Sequence, residues 1–82
     1  MPHVIVKLWP GKSQKQKREL TDAISQSVKA ILEYGDDAVS VGIEEVSSSD
    51  WDSKVYVPDI ASKWDSLIKK PGYGTPRSGK EK

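Results

Sequence analysis

Cysteine is absent from the 82 residues, and so is phenylalanine. The first absence excludes disulfides, a thiolate nucleophile and any thiolate metal site. Histidine occurs once, at His3, so imidazoles cannot assemble a zinc site, and no metal or cofactor is expected. An excess of either charge is missing too. Thirteen Lys and Arg against twelve Asp and Glu leave a formal net charge of +1, without the field that gathers nucleic acid or anionic lipid. No apolar run approaches the roughly 20 residues that a bilayer helix needs. Lys7 interrupts the N-terminal apolar stretch and Pro10-Gly11 closes it, so it does not read as a secretory leader. No glycine-rich phosphate loop occurs. What remains is a globular, cytoplasmic chain, expected to form a single domain over 1–76. The closing RSGKEK, residues 77–82, has nothing to bury and reads as a disordered tail.

The apolar pattern changes period along the chain. HVIVKLW, His3 to Trp9, is rich in β-branched and aromatic residues and reads as a strand. It has Val4, Val6 and Leu8 on one face, and His3, Ile5, Lys7 and Trp9 on the other. Ser13 followed by Gln16 fits a capping box. Leu20, Ala23, Ile24, Ser27, Val28, Ile31 and Leu32 then recur at helical spacing, which predicts a helix over about 13–34 with Gly35 as its left-handed stop. VSVGIEEV, Val39 to Val46, returns to period two. Strand, helix and strand in this order predict a parallel βαβ unit. Ser47 to Asp50 reads as a polar break. Pro58 suits the first turn of a second helix, carried by Ile60, Ala61, Trp64, Leu67 and Ile68 and stopped by Pro71-Gly72. The fold class is therefore α/β (α+β). Two strands alone make a marginal sheet, so a sheet shared across a homodimer is expected.

Chemistry points first to Pro2. Removal of Met1 would expose a secondary amine at the head of a strand. An α-amino group titrates near 7.7–8.0 unperturbed, and burial or a nearby cation lowers that value, which suits a general base. The plain alternative is a proline with no catalytic role. With Met1 attached the nitrogen is a tertiary amide without basicity.

Several motifs in register give this residue a context. Pro2 opening a strand, Gly11-Lys12-Ser13 at the strand–helix turn, Gln16-Lys17 and Leu20 on the first helical turns, SVGIEEV and then Trp51 together resemble the tautomerase superfamily typified by 4-oxalocrotonate tautomerase. The C-terminal DIASKWDSLIKKPGYG is similar to its dimeric bacterial branch, a resemblance that implies Pro71 to Gly74 reaching across to the partner. The resemblance implies keto–enol tautomerisation of 2-oxo acids without a cofactor. Pro2 would move the proton between oxygen and carbon, Lys12 would hold the substrate carboxylate, Ser40 would polarise the oxygen and Trp51 would wall off water. The family's turn usually carries arginine where Lys12 stands, and its hexameric members place a second arginine where Ser40 stands. A lysine lacks the planar fork of arginine, and a hydroxyl cannot neutralise a second carboxylate. An aryl monocarboxylate is therefore favoured over a dicarboxylate.

Other residues carry plainer readings. Trp64 sits on an apolar helical stripe and reads as core, while Ile5, Trp9 and Tyr73 read as core or dimer contacts. Trp51 serves equally as pocket wall or core anchor. His3, on the face opposite Pro2, reads as a surface or interface residue. Lys15, Lys17, Arg18 and Lys29 form a basic helix face diluted by Glu19, Asp22 and Glu33. A catalytically silent dimeric βαβ protein that binds a small anion or a protein partner is the alternative function, with a nucleic-acid adaptor third. Intact mass spectrometry of protein isolated from cells is expected to show a chain lacking Met1; a mass that includes Met1 would remove the basis for a Pro2 amine.

Overall fold

A computed structural model describes residues 1–74; the tail expected over 77–82 lies outside the described residues. Two compact units divide the chain, the first Met1–Glu45 and the second beginning at Val46. The first is a β-α-β arrangement. Strand β1 is His3–Leu8, helix α1 is Gln14–Leu32 and strand β2 is Ser40–Glu45, and β1 and β2 pair in parallel.

Helix α1 starts where local chemistry says it must. Ser13 Oγ accepts from the Gln16 N–H at 3.0 Å, and Gln16 Oε1 accepts from the Ser13 N–H at 2.9 Å, so both halves of the capping box are made. Gly11, at φ 125°, supplies the positive dihedral that the preceding turn requires. At the other end the expected stop is displaced. Glu33, not Gly35, takes the left-handed conformation (φ 61°, ψ 51°), and Gly35 is extended. The Tyr34 N–H reaches back to the Lys29 carbonyl at 3.2 Å, which closes the helix two residues before the glycine. A single 3-10 turn, Asp36–Ala38, then leads into β2, and Lys29 Nζ binds the Asp36 carboxylate at 2.9 Å.

The register pairs His3 with Ser40, Val4 with Val41, Ile5 with Gly42, Val6 with Ile43, Lys7 with Glu44 and Leu8 with Glu45. Alternation puts Val4, Val6, Leu8, Val41, Ile43 and Glu45 on one face. Helix α1 packs on that face, where Lys17 Nζ reaches the Glu45 carboxylate at 2.7 Å. The opposite face carries His3, Ile5, Lys7, Ser40, Gly42 and Glu44, and no element of the first unit covers it. Ile5 is half exposed there, and no atom comes within 4 Å of a Cβ built at Gly42.

The second unit departs further from expectation. Its helix begins at Ser48, inside the expected polar break: helix α2, Ser48–Trp51, runs straight on into a π-helical stretch, Asp52–Ala61. Pro58 therefore sits within the helical run and not at its start. Proline offers no N–H for a helical bond. Bonding widens around it, with Ser62 N–H donating to the Val57 carbonyl at 3.1 Å and Ser62 Oγ to the Pro58 carbonyl at 2.6 Å. The stripe expected over Ile60 to Ile68 is cut to the end of this run plus one 3-10 turn, Trp64–Ser66. Trp64 is half-buried, with Lys70 Nζ 5.8 Å from its ring centroid, so it is not the core anchor expected.

Val55, Tyr56 and Ala61 are the buried hydrophobic residues of the described chain. Tyr73 packs its ring 6.0 Å from that of Tyr56 and accepts a hydrogen bond from Trp51 Nε1 at 3.1 Å. The Pro71–Gly74 segment thus folds back on its own unit. Gly74 makes this possible: at φ 80° it avoids left-handed strain, and a Cβ there would lie 2.5 Å from the Tyr56 ring. Left-handed backbone at a residue other than glycine costs roughly 1–2 kcal/mol. Glu33→Gly is accordingly expected to stabilise the fold by about 1 kcal/mol, read as a higher urea midpoint at unchanged slope and fixed protein concentration.

Candidate active site

Pro2 stands one residue before β1 and is half-buried. Parallel pairing reaches it: the Ser40 N–H donates to the Pro2 carbonyl at 3.2 Å, which pins the head of β1 to the head of β2. Met1, by contrast, is 91% exposed. Two of the expected site residues, Pro2 and Ser40, are thereby neighbours.

The Ser40 side chain has a partner that the sequence reading passed over. Its Oγ lies 2.6 Å from His3 Nδ1, a short contact between directly paired residues. Both residues are exposed on the face away from α1. His3 is thus placed on the expected face, yet it joins a residue of the candidate site.

Lys12 is elsewhere. It lies in the exposed connection after β1, without an ion pair among the described residues. The whole of β1 lies between it and Pro2, and the six residues of that strand span about 20 Å at the rise of a strand. Trp51 belongs to the second unit, where it is half-buried and donates to Tyr73. The structure therefore joins Pro2, His3 and Ser40 at the start of the sheet and leaves Lys12 at the far end of it.

An open groove of about 430 Å³ runs between α1 and the end of β2, lined in part by Lys17, Arg18, Thr21, Asp22, Ile43 and Glu45. None of the expected site residues lines it. Among the described residues no group of three or more His, Cys, Asp and Glu is placed to hold a metal ion, and no helix is long and apolar enough to cross a membrane.

The first unit is a small parallel βαβ fold, and comparison with known proteins assigns the chain to a family. The family model described as "Tautomerase enzyme" matches residues 2–54. A probable tautomerase of Xylella fastidiosa (strain 9a5c) is 45% identical over 74 residues, covering 90% of both chains. Tautomerase PptA of Cronobacter sakazakii (strain ATCC BAA-894) is 38% identical over 74 residues, 89% of this chain and 97% of its own. The crystal structure of YwhB, a homologue of 4-oxalocrotonate tautomerase, superimposes with a TM-score of 0.55 at 33% identity, covering 56% of this chain and 75% of that one. The chain belongs to the tautomerase family, within the 4-oxalocrotonate tautomerase superfamily, and its activity is that of an isomerase.

Proposed function

We propose that this protein interconverts the keto and enol forms of 2-oxo acids, with aryl monocarboxylates preferred and the Pro2 amine as general base once Met1 is removed. The observation that carries this reading is the half-buried Pro2 at the head of β1, tied to Ser40, in a chain of the tautomerase family. Freed of Met1, Pro2 presents a secondary amine, which is a basic group. It can take a proton from the carbon beside a carbonyl and return one to it. Ser40 meets the substrate oxygen, Lys12 the carboxylate and Trp51 the aryl group. The carbonyl already acidifies that carbon, so the reaction calls on no cofactor. A cytoplasmic location fits such a substrate.

The separation of Pro2 from Lys12 sets a condition on assembly. Twenty ångströms, in order of magnitude, is more than an aryl pyruvate spans. The carboxylate is therefore held by Lys12 of the partner subunit. A two-fold axis that pairs equivalent strand edges antiparallel brings the far end of one strand beside the head of the other. Exposed apolar groups on the first unit favour such pairing: Ile31 is 75% exposed, and Trp9 and Leu32 are more than half exposed. A homodimer with a shared sheet follows; a hexamer is the competing assembly.

Met1-free protein is expected to ketonise aryl enolpyruvates well above the buffer rate, and Pro2→Ala to lose most of that increment. Equal rates would leave the catalytically silent binding protein as the better reading. Lys12→Ala should raise KM or lower kcat/KM, Lys12→Arg should retain activity, and a dicarboxylate should turn over more slowly. Mixing Pro2→Ala and Lys12→Ala chains, each impaired on its own, should restore the mixture to about a quarter of wild-type activity, above either variant alone, if each site draws on two subunits of a dimer. No recovery, in a sample shown by sedimentation to exchange subunits, would place Lys12 outside the site.

A further inference from the structure

Helix α2 ends at Trp51, and the π-helical stretch begins at Asp52. In an α-helix, with 3.6 residues per turn, side chains five positions apart point about 140° away from each other. An i→i+5 repeat instead sets them nearly one above the other. Trp51 and Tyr56 are five positions apart across this change of repeat, and a single residue touches both. Tyr73 places its ring centroid 6.0 Å from that of Tyr56, and its Oη accepts from Trp51 Nε1 at 3.1 Å.

We propose that Tyr73 is the positioning residue for Trp51, presetting the indole that receives the aryl group of the substrate. This rests on the function proposed above, in which Trp51 meets that group. An indole carries one polar atom, a donor with no acceptor capacity. Left unpaired, that N–H holds water, or costs free energy once an aryl ring covers it. With the Tyr73 oxygen on it, the N–H is satisfied from within the chain. The indole is also held in one orientation before substrate arrives, so less freedom is lost on binding. Tyr73 touches no reacting atom in this reading; it acts through the indole.

The groups that hold Tyr73 are themselves fixed. Tyr56 is one of the buried residues of the unit, and the two tyrosine rings are tilted by 47°, within the range of arrangements in which aromatic pairs attract. Pro71 locks its own φ two residues before Tyr73. Gly74 follows directly, and its positive φ and missing Cβ let the backbone close on the Tyr56 ring. Tyr73 thus stands between two residues that anchor the segment to the helical run.

A purely structural use accounts less well for the hydroxyl. Tyr73 is 49% exposed, and a hydrogen bond that replaces contacts with water adds little to stability. The ring contact with Tyr56 holds the segment without it. What the bond does supply is direction, because it ties the polar edge of the indole to a fixed point. Contact between the indole and an aryl ring is made alike in the ground state and the transition state. Its loss therefore falls on KM and leaves kcat nearly untouched. Proton transfer at Pro2 is not altered.

The test uses Met1-free wild type, Tyr73→Phe, Gly74→Ala, Trp51→Phe and the double variant Trp51→Phe/Tyr73→Phe, with phenylenolpyruvate as the probe. Phenylalanine at 73 keeps the ring against Tyr56 and removes only the hydroxyl. The three tryptophans give three indole N–H signals by NMR, and Trp51→Phe assigns one of them by removing it. Tyr73→Phe is expected to move that signal upfield and leave the other two in place. It should raise KM about tenfold, the order that one unsatisfied N–H costs, with kcat within about twofold of wild type. Gly74→Ala, which drives the segment off Tyr56 with the hydroxyl still present, is expected to reproduce both changes. In the Trp51→Phe background, which has no N–H to satisfy, Tyr73→Phe should change KM by less than about twofold. An unmoved Trp51 signal in Tyr73→Phe would overturn the bond. A moved signal with an unchanged KM, or an equal rise in KM in the Trp51→Phe background, would overturn the positioning role and leave Pro2 as the base. A wild type that fails on phenylenolpyruvate while Tyr73→Phe still moves the Trp51 signal would overturn the proposed function, and the role of Tyr73 in it.

Discussion

The parallel pairing of β1 with β2, in the register that sets His3 against Ser40, is the constraint on which the rest depends. It fixes which residues face α1 and which face away, because side chains alternate and a slip of one residue would exchange the two sets. It also places the Ser40 N–H on the Pro2 carbonyl, so the head of the chain is held by a backbone bond and not left to fray. The Lys17–Glu45 pair and the valine, leucine and isoleucine side chains of the covered face attach the sheet to α1.

That arrangement also explains why a single chain is an incomplete catalyst in the reading proposed here. Parallel strands start at the same end, so the heads of β1 and β2 gather Pro2, His3 and Ser40, while the turn into α1 carries Lys12 to the opposite end. A two-stranded sheet has two free edges and is marginal in water. Completing the sheet and completing the site are then the same event. The aromatic cluster of Trp51, Tyr56 and Tyr73 belongs to the second unit and gives that unit an anchor of its own, which the first unit lacks.

Local signals were legible where local physics decides. The capping box of Ser13 and Gln16 was readable because both of its bonds close within four residues. The two strands and α1 followed from a clean change of period between 2 and 3.6. The αL position at Glu33 was not legible, since a glycine two residues on is the better intrinsic stop. The bond from Tyr34 to Lys29 decided otherwise. Pro58 misled for a similar reason: proline favours a first helical turn, but a wider helical repeat absorbs the missing donor and lets the helix begin ten residues earlier. Ser47 to Asp50, polar and small, reads equally as a break or as a helix start.

The sequence by itself determined the family, the βαβ order and the candidate base, because these rest on residue types in fixed order along the chain. Tertiary structure decided which candidates meet. Lys12 and Pro2 lie ten positions apart in sequence yet at opposite ends of a strand, whereas His3 and Ser40, 37 positions apart, are joined at 2.6 Å. The reason is physical: an extended strand carries near neighbours in sequence away from each other at more than 3 Å per residue, and only the register of a parallel pair brings distant ones together.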